Sequence, residues 1–168
     1  RVFLDDQTVE DVENALQVPV IIVKSSGLAL FEAMLGYELE DQFKLYLNDT
    51  GLLCYLYGDE TKLAILNNNL KGHVKGGIYE NIIAESLLKK GYKLYYYKTS
   101  NSTLEIEFII EKIGEVLPIE VKVGNDSTPS LNNFINKFKP SITYKLINGN
   151  LGIINNKKSI PHYMILFI

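Results

Sequence analysis

The stretch from Leu104 to Val123 constrains this chain more than any other. Leu104–Ile110 runs Leu-Glu-Ile-Glu-Phe-Ile-Ile, where apolar and charged residues alternate with the period of a strand. Lys112-Ile113-Gly114-Glu115 supplies a tight turn, and Val116–Val123 is a second strand-forming run. The pair reads as a β-hairpin, and Pro118-Ile119-Glu120-Val121-Lys122 ends it with an unusual sequence. Alternate residues of a strand share a face, so Glu120 and Lys122 are expected to project together while Ile119 and Val121 enter the core. On the partner strand Glu105 and Glu107 share a face by the same rule, with Ile106 and Phe108 turned away. Pairing across the turn then brings Glu107 towards Glu120, on one sheet face.

Two carboxylates held a few ångströms apart repel unless a cation or a proton lies between them, the arrangement that binds Mg²⁺ or Mn²⁺ through oxygen. The backbone carbonyl of Val121 adds a further oxygen, so Glu107, Glu120 and Val121 form the candidate metal set. Lys122 is placed to orient a water or to neutralise charge building on a phosphate. The competing account is an ordinary cross-strand ion pair, the commoner fate of a Glu-x-Lys on a strand.

The segments around the hairpin fix the fold class. Ile78, Ile82, Ile83 and Leu87 recur on one helical face, and Lys89-Lys90-Gly91 closes that helix with a basic turn and a glycine. Glu80 lies on it and supplies a third acid. Lys93–Lys98 is a strand on which Tyr96 faces away from Tyr95 and Tyr97; a half-buried strand explains these rings better than base stacking does. Ser130–Phe138 is a helix carrying Leu131, Phe134 and Phe138 on one side. Ser141–Ile147 and Leu151–Ile154 flank Asn148-Gly149-Asn150 as a hairpin, and Tyr163–Ile168 closes the chain as an apolar strand. Upstream, Val9–Leu16 reads as a short acidic helix capped at Thr8, and Val18–Val23 as a strand ending at Lys24-Ser25-Ser26-Gly27. Leu28–Leu35 reads as helical, Phe43–Leu47 as a strand, Asp49 as the cap of a helix beginning at Thr50, and Asn67–Gly72 as a loop. The whole is an α/β fold, a mixed central β-sheet flanked by helices.

That order, and the residues filling it, resemble the family called domain of unknown function 4143, which commonly forms the carboxyl-terminal part of prokaryotic AAA-type ATPases. The matching stretches are Lys44-Leu-Tyr-Leu-Asn-Asp-Thr-Gly-Leu-Leu53, Gly77-Ile-Tyr-Glu-Asn81, Leu104-Glu-Ile-Glu-Phe108, Leu117-Pro-Ile-Glu-Val-Lys122 and Ile160-Pro-His-Tyr-Met164. The resemblance runs from about Lys44 to near the end of the chain, and it implies a restriction-endonuclease-like PD-(D/E)xK fold. By that resemblance Glu80 is the helix acid, Glu107 the metal-binding acid, and Glu120 with Lys122 the terminal catalytic pair. The family pattern usually has aspartate where this chain has Glu107, a longer side chain that alters the geometry. Residues 1–40 are then expected to be an acidic N-terminal segment, an ordinary strand with a capped helix or else a remnant of an ATPase, and residues 41–168 the nuclease-like domain. The implied activity is metal-dependent cleavage of DNA or RNA phosphodiesters. The alternative is a catalytically inactive accessory module that binds nucleic acid or protein, partnered by an ATPase or by an ATPase half missing from this chain.

Composition and charge narrow the classes without choosing among them. The net charge of −3 divides unevenly: residues 1–40 hold eight acids against Arg1 and Lys24, whereas residues 41–168 hold 15 lysines against 12 acids. The second part tolerates a polyanion but is not the strongly basic surface of a dedicated DNA binder. Cys54 stands alone, so no internal disulfide forms, and its apolar neighbours favour a buried thiol. No apolar run is long enough to span a bilayer and nothing at the start resembles a signal peptide, so a cytoplasmic location without membrane partners is the default expectation. A chain opening on Arg1 reads as a fragment or a processed product. His73 and His162 have no Cys or His at ligand spacing and are expected at surface or satisfied packing positions rather than as zinc ligands. Val2-Phe3-Leu4-Asp5-Asp6 has the apolar-then-acidic shape of a Walker B strand, but no G-x-x-x-x-G-K-[ST] loop accompanies it. Calorimetry is therefore expected to detect no ATP binding by this chain, and millimolar or tighter binding would show a nucleotide site that the motif search misses.

Overall fold

The computed structural model describes residue 14 and residues 20–26, 38–99, 104–124 and 127–168. Eight strands form a single mixed sheet flanked by helices, the α/β arrangement expected from sequence. In chain order the strands are β1 (Val20–Ser26), β2 (Glu38–Leu47), β3 (Tyr95–Lys98), β4 (Glu105–Lys112), β5 (Glu115–Val121), β6 (Thr143–Ile147), β7 (Gly152–Ile154) and β8 (Lys157–Pro161). The helices are α1 (Thr50–Leu56), α2 (Asp59–Leu66), α3 (Gly72–Lys89) and α4 (Pro129–Phe138), with a final 3₁₀ turn over His162–Phe167. Across the sheet the order is β2-β1-β3-β4-β5-β6-β8-β7. β1, within the first forty residues, thus sits inside the sheet between β2 and β3, and it pairs parallel with β3.

The hairpin forms as its turn residues dictate. β4 and β5 pair antiparallel from Lys112↔Glu115 to Phe108↔Ile119, and both turn residues have positive φ, Ile113 at 54° and Gly114 at 74°. Two positive φ values define the tight turn whose twist matches flanking strands, and glycine takes that conformation without strain. Pro118 lies in a central strand, but β6 pairs with β5 only from Ile119 onward, so its missing N–H removes no rung on that side.

Two apolar layers cover the sheet. Ile83, Ala84 and Leu87 of α3 pack on Phe108, Ile110, Leu117, Ile119, Val121 and Leu146. On the other layer Leu131 and Phe134 of α4 pack on Tyr97, Ile106, Ile109 and Val116. Tyr96 belongs to the first layer while Tyr95 and Tyr97 belong to the second, as the alternation predicts. Ile106 and Phe108, two residues apart, are also in different layers. The β3–β4 register shows why: Tyr97 faces Ile106 but Tyr95 faces Ile109, so β4 carries one extra residue there. This bulge breaks alternation at Glu107 and corrects the expectation that Ile106 and Phe108 turn the same way.

Several other expectations need correction. Ser141–Ile147 and Leu151–Ile154 do not form a hairpin, because β8 lies between β6 and β7. The true hairpin joins β7 to β8 across Asn155 and Asn156. Leu151, Ile153 and Ile154 are exposed, so their apolar run carries no signal of which strand they pair with. Tyr163–Ile168 is a 3₁₀ turn, not a strand: Ile165 and Ile168 are buried while Tyr163, Leu166 and Phe167 are exposed, a period of three. β1 continues to Ser26, past the expected turn at Lys24. Ile82, expected on the buried face of α3, is 40% exposed. Cys54 is half-buried, since α1 buries none of its residues. The expected helix at Leu28–Leu35 and the Val2–Asp6 strand lie outside the described residues, as does the Val9–Leu16 helix apart from helical Asn14. Among the described residues no helix is long and apolar enough to cross a membrane.

One buried amide ties α3 to the sheet. Asn81 Oδ1 accepts from Leu47 N at 2.8 Å, and Asn81 Nδ2 donates to Leu47 O at 2.9 Å and to Thr50 Oγ1 at 2.9 Å. Asn81 therefore completes the backbone of β2 at its last residue and holds the start of α1, which Asp49 caps by accepting from Leu52 N. Asn81→Leu keeps the size but strands the N–H and C=O of Leu47, and a loss of about 2–4 kcal/mol is expected in urea unfolding. A loss within error of zero would show that water replaces the amide.

Candidate functional site

The site is built where β5 ends. Glu120 is the penultimate residue of β5 and is 1% exposed, covered because both faces of that strand are. Its Oε1 lies 2.7 Å from Lys122 Nζ, whereas its Oε2 is buried and has no hydrogen-bond partner. Lys122 lies just past the strand end. Its N–H donates to Leu146 O at 2.8 Å, so β6 fixes its backbone even though the ladder has stopped. His162 lies beside the Lys122 backbone, which opposes the lowering of its imidazole pKa by burial.

Glu107 joins from β4 at the bulge. Its Oε2 accepts from Val121 N at 3.2 Å, and its Oε1 lies 3.9 Å from Lys122 Nζ. One ammonium thus faces two carboxylates. Burial, and after it the charge of Glu120, push the Glu107 carboxyl up to about 8, with Glu80 adding in the same direction and Lys122 opposing. The contact at Val121 runs through its N–H; a metal would use the carbonyl.

Glu80 takes a different position. Its Oε2 accepts from Tyr46 Oη at 3.0 Å and lies 3.8 Å from Lys44 Nζ, both on β2. The sequence-predicted residues Glu107, Glu120 and Lys122 are therefore in contact, while Glu80 is held beside them by other partners and acts on them through its charge. Among the described residues no group of three or more His, Cys, Asp and Glu side chains is arranged to hold a metal ion. The donor set on offer is smaller, two carboxylates and a backbone oxygen. The unpaired Glu120 Oε2 beside the raised Glu107 fits a cation, because each gains from a positive charge that Lys122 supplies to only one oxygen closely.

Sequence reasoning gave no site role to Lys44, Tyr46 or Glu105. Lys44 Nζ lies 2.5 Å from Glu105 Oε1, and Lys98 Nζ lies 3.2 Å from Glu105 Oε2. The signal was present in Phe43–Leu47, where Lys44 and Tyr46 share one strand face, but only the sheet order brings that face to Glu80. His162 is half-buried with its ring edge against Tyr79 at 4.6 Å, and its Nε2 is buried without a partner, so it is not the satisfied packing residue expected. His73 is exposed.

Residues 75–163, more than half of the chain, match the family described as domain of unknown function (DUF4143). The chain belongs to the DUF4143 family. The match takes in α3, the hairpin and β8, and so contains Glu80, Glu107, Glu120 and Lys122. No curated protein and no solved structure matches the chain.

The raised Glu107 carboxyl makes metal-free stability depend on pH. Its unfolded value is 4.5 and its folded value about 8. The folded state therefore holds the proton more tightly, and this contribution is complete below pH 4.5 and lost as pH rises towards 8. In EDTA the urea midpoint is expected to fall between those limits, and Glu107→Gln is expected to flatten the fall. An unchanged slope in the variant would place the titration elsewhere.

Proposed function

We propose that this DUF4143 domain is a divalent-metal-dependent phosphodiesterase of the PD-(D/E)xK, restriction-endonuclease-like kind, acting on DNA or RNA. The observation that carries the reading is the buried Glu120 carboxylate, with one oxygen on Lys122 and the other without a partner, beside a second carboxylate on β4. Burying such a pair is costly without a cation to offset it. The helix-acid, hairpin, Glu-x-Lys order supports the same reading, which rests on the site and not on the fold class.

Glu107, Glu120 and the Val121 carbonyl would hold Mg²⁺ or Mn²⁺. The ion would lower the pKa of a bound water and polarise the phosphoryl oxygens. Lys122 stays on the protein side of that chemistry, holding Glu120 in place and presenting its ammonium to charge that develops on the phosphate. Glu80, held by Tyr46 and Lys44, adds negative charge from α3 without joining the ligand pair.

A second reading has its own observation. At 2.7 Å Lys122 already neutralises one oxygen of Glu120, and among the described residues no three His, Cys, Asp or Glu side chains are grouped to hold a metal ion. These features favour a catalytically inactive module that binds nucleic acid or protein, working with an ATPase partner.

Metal titration separates the two. Under the catalytic reading Mn²⁺ or Mg²⁺ raises the melting temperature by mass action, worth about 2.7 kcal/mol at a hundredfold excess over the dissociation constant. Glu120→Gln is expected to remove that rise. Lys122→Ala is expected to keep most of it while lowering cleavage of labelled single- and double-stranded substrates by about 10²- to 10⁴-fold. A melting temperature that stays flat across the Mn²⁺ series, with no cleavage, would replace this reading by the accessory module.

A further inference from the structure

The Glu105 carboxylate sits between two lysines from different strands. Lys44 of β2 lies 2.5 Å from one of its oxygens and Lys98 of β3 lies 3.2 Å from the other. Two ammonium groups on the two oxygens of one anion is the pattern with which lysines meet the non-bridging oxygens of a phosphate. Glu105 is on β4, two residues before Glu107, so this cluster borders the carboxylate pair. Lys44 also lies 3.8 Å from Glu80 Oε2 and 5.3 Å from the centroid of the Tyr96 ring, contacts that fix its ammonium. Lys98 and Glu105 are each about one-third exposed, so water and an incoming anion can reach them.

We propose that Lys44 and Lys98 form a phosphate-binding subsite next to the carboxylate pair, closed in the unliganded protein by Glu105 acting as an internal counterion. The inference deepens the phosphodiester reading and rests on it: cleavage occurs at Glu107 and Glu120, and a neighbouring phosphate of the same strand is gripped by the two lysines. Glu105 must swing aside for that grip. Its pair with Lys98 is the kind that yields, because partly exposed pairs contribute little and are screened by salt, and the more buried Lys44 keeps Glu80 as a counterion when Glu105 leaves. A nucleic acid strand also gains from releasing its condensed counterions when lysines replace them. The arrangement accounts for two lysines on a single carboxylate at the solvent edge, and it gives the domain a low resting affinity for polyanions in general.

The test uses the full chain in EDTA, with fluorescein-labelled oligothymidylate as probe and anisotropy read across a KCl series. Glu105→Gln is expected to bind more tightly than the parent. Its plot of log affinity against log salt is expected to steepen by about 0.7 for each phosphate engaged. Adding Lys44→Ala or Lys98→Ala to that variant is expected to remove the gain. Should Glu105→Gln fail to fold, Glu105→Ala is read in the same way, because it too removes the counterion charge. Unchanged affinity and slope in Glu105→Gln, or a gain that survives both lysine substitutions, would overturn the subsite. Because the titration excludes metal and leaves Glu107 and Glu120 intact, the gain appears even in a chain that neither binds Mn²⁺ nor cleaves. Cleavage without the gain would overturn the subsite alone.

Discussion

Everything around the end of β5 follows from placing a glutamate where both faces of a strand are covered. Removing the Glu120 carboxylate from water is costly, and Lys122 at 2.7 Å offsets that cost for one oxygen only. The remaining features serve that pair. β6 receives the Lys122 N–H, His162 lies beside its backbone, and the Tyr79 ring supports His162 from α3. Each restrains a lysine that has left the ladder and would otherwise be free to turn into solvent. The β4 bulge then adds Glu107, whose carboxyl bonds Val121 N instead of packing as alternation would have it.

β2 plays a corresponding part at the other side. Leu47, its last residue, is completed by the Asn81 amide, and this lock sets where Tyr46 and Lys44 stand relative to α3. Glu80 is on the same helix as Asn81, one residue before it. One buried amide therefore places both the scaffold and the acid that the scaffold carries. Tyr46, buried against Phe108, orients Glu80 through a hydroxyl whose pKa is raised by burial and by the surrounding carboxylates, so it remains a donor.

The parts of this architecture that sequence made legible are local. The hairpin could be read from Ile113-Gly114, α1 from the Asp49 cap, the end of α3 from Lys89-Lys90-Gly91, and α4 from the spacing of Leu131 and Phe134. Glu120 and Lys122 followed from alternation, and the nearness of Glu107 to Glu120 followed from the turn, which sets Phe108 opposite Ile119. What stayed hidden depends on residues distant in sequence. The insertion of β8 between β6 and β7 leaves no mark on an exposed edge strand, and a six-residue apolar run does not reveal whether its period is two or three. The bulge at Glu107 is invisible in a sequence that alternates cleanly through it. Lys44 and Lys98 meet at Glu105 only because the sheet order places β2, β1, β3 and β4 side by side, which no local pattern encodes.

That interposed strand has a consequence for how the molecule assembles. β1 must pair with β2, which follows it closely, and also in parallel with β3, which comes only after all three early helices. Closing so long a loop costs entropy before the contact repays it. The hairpin β4–β5 can form alone, as can the β1–β2 pair, but the seam between the two halves cannot. The Lys44–Glu105 contact crosses that seam, so it requires the long-range β1–β3 pairing to be in place. The carboxylate pair and Lys122 belong to one hairpin, whereas the lysine that flanks them from β2 is brought in only by pairing between distant parts of the chain.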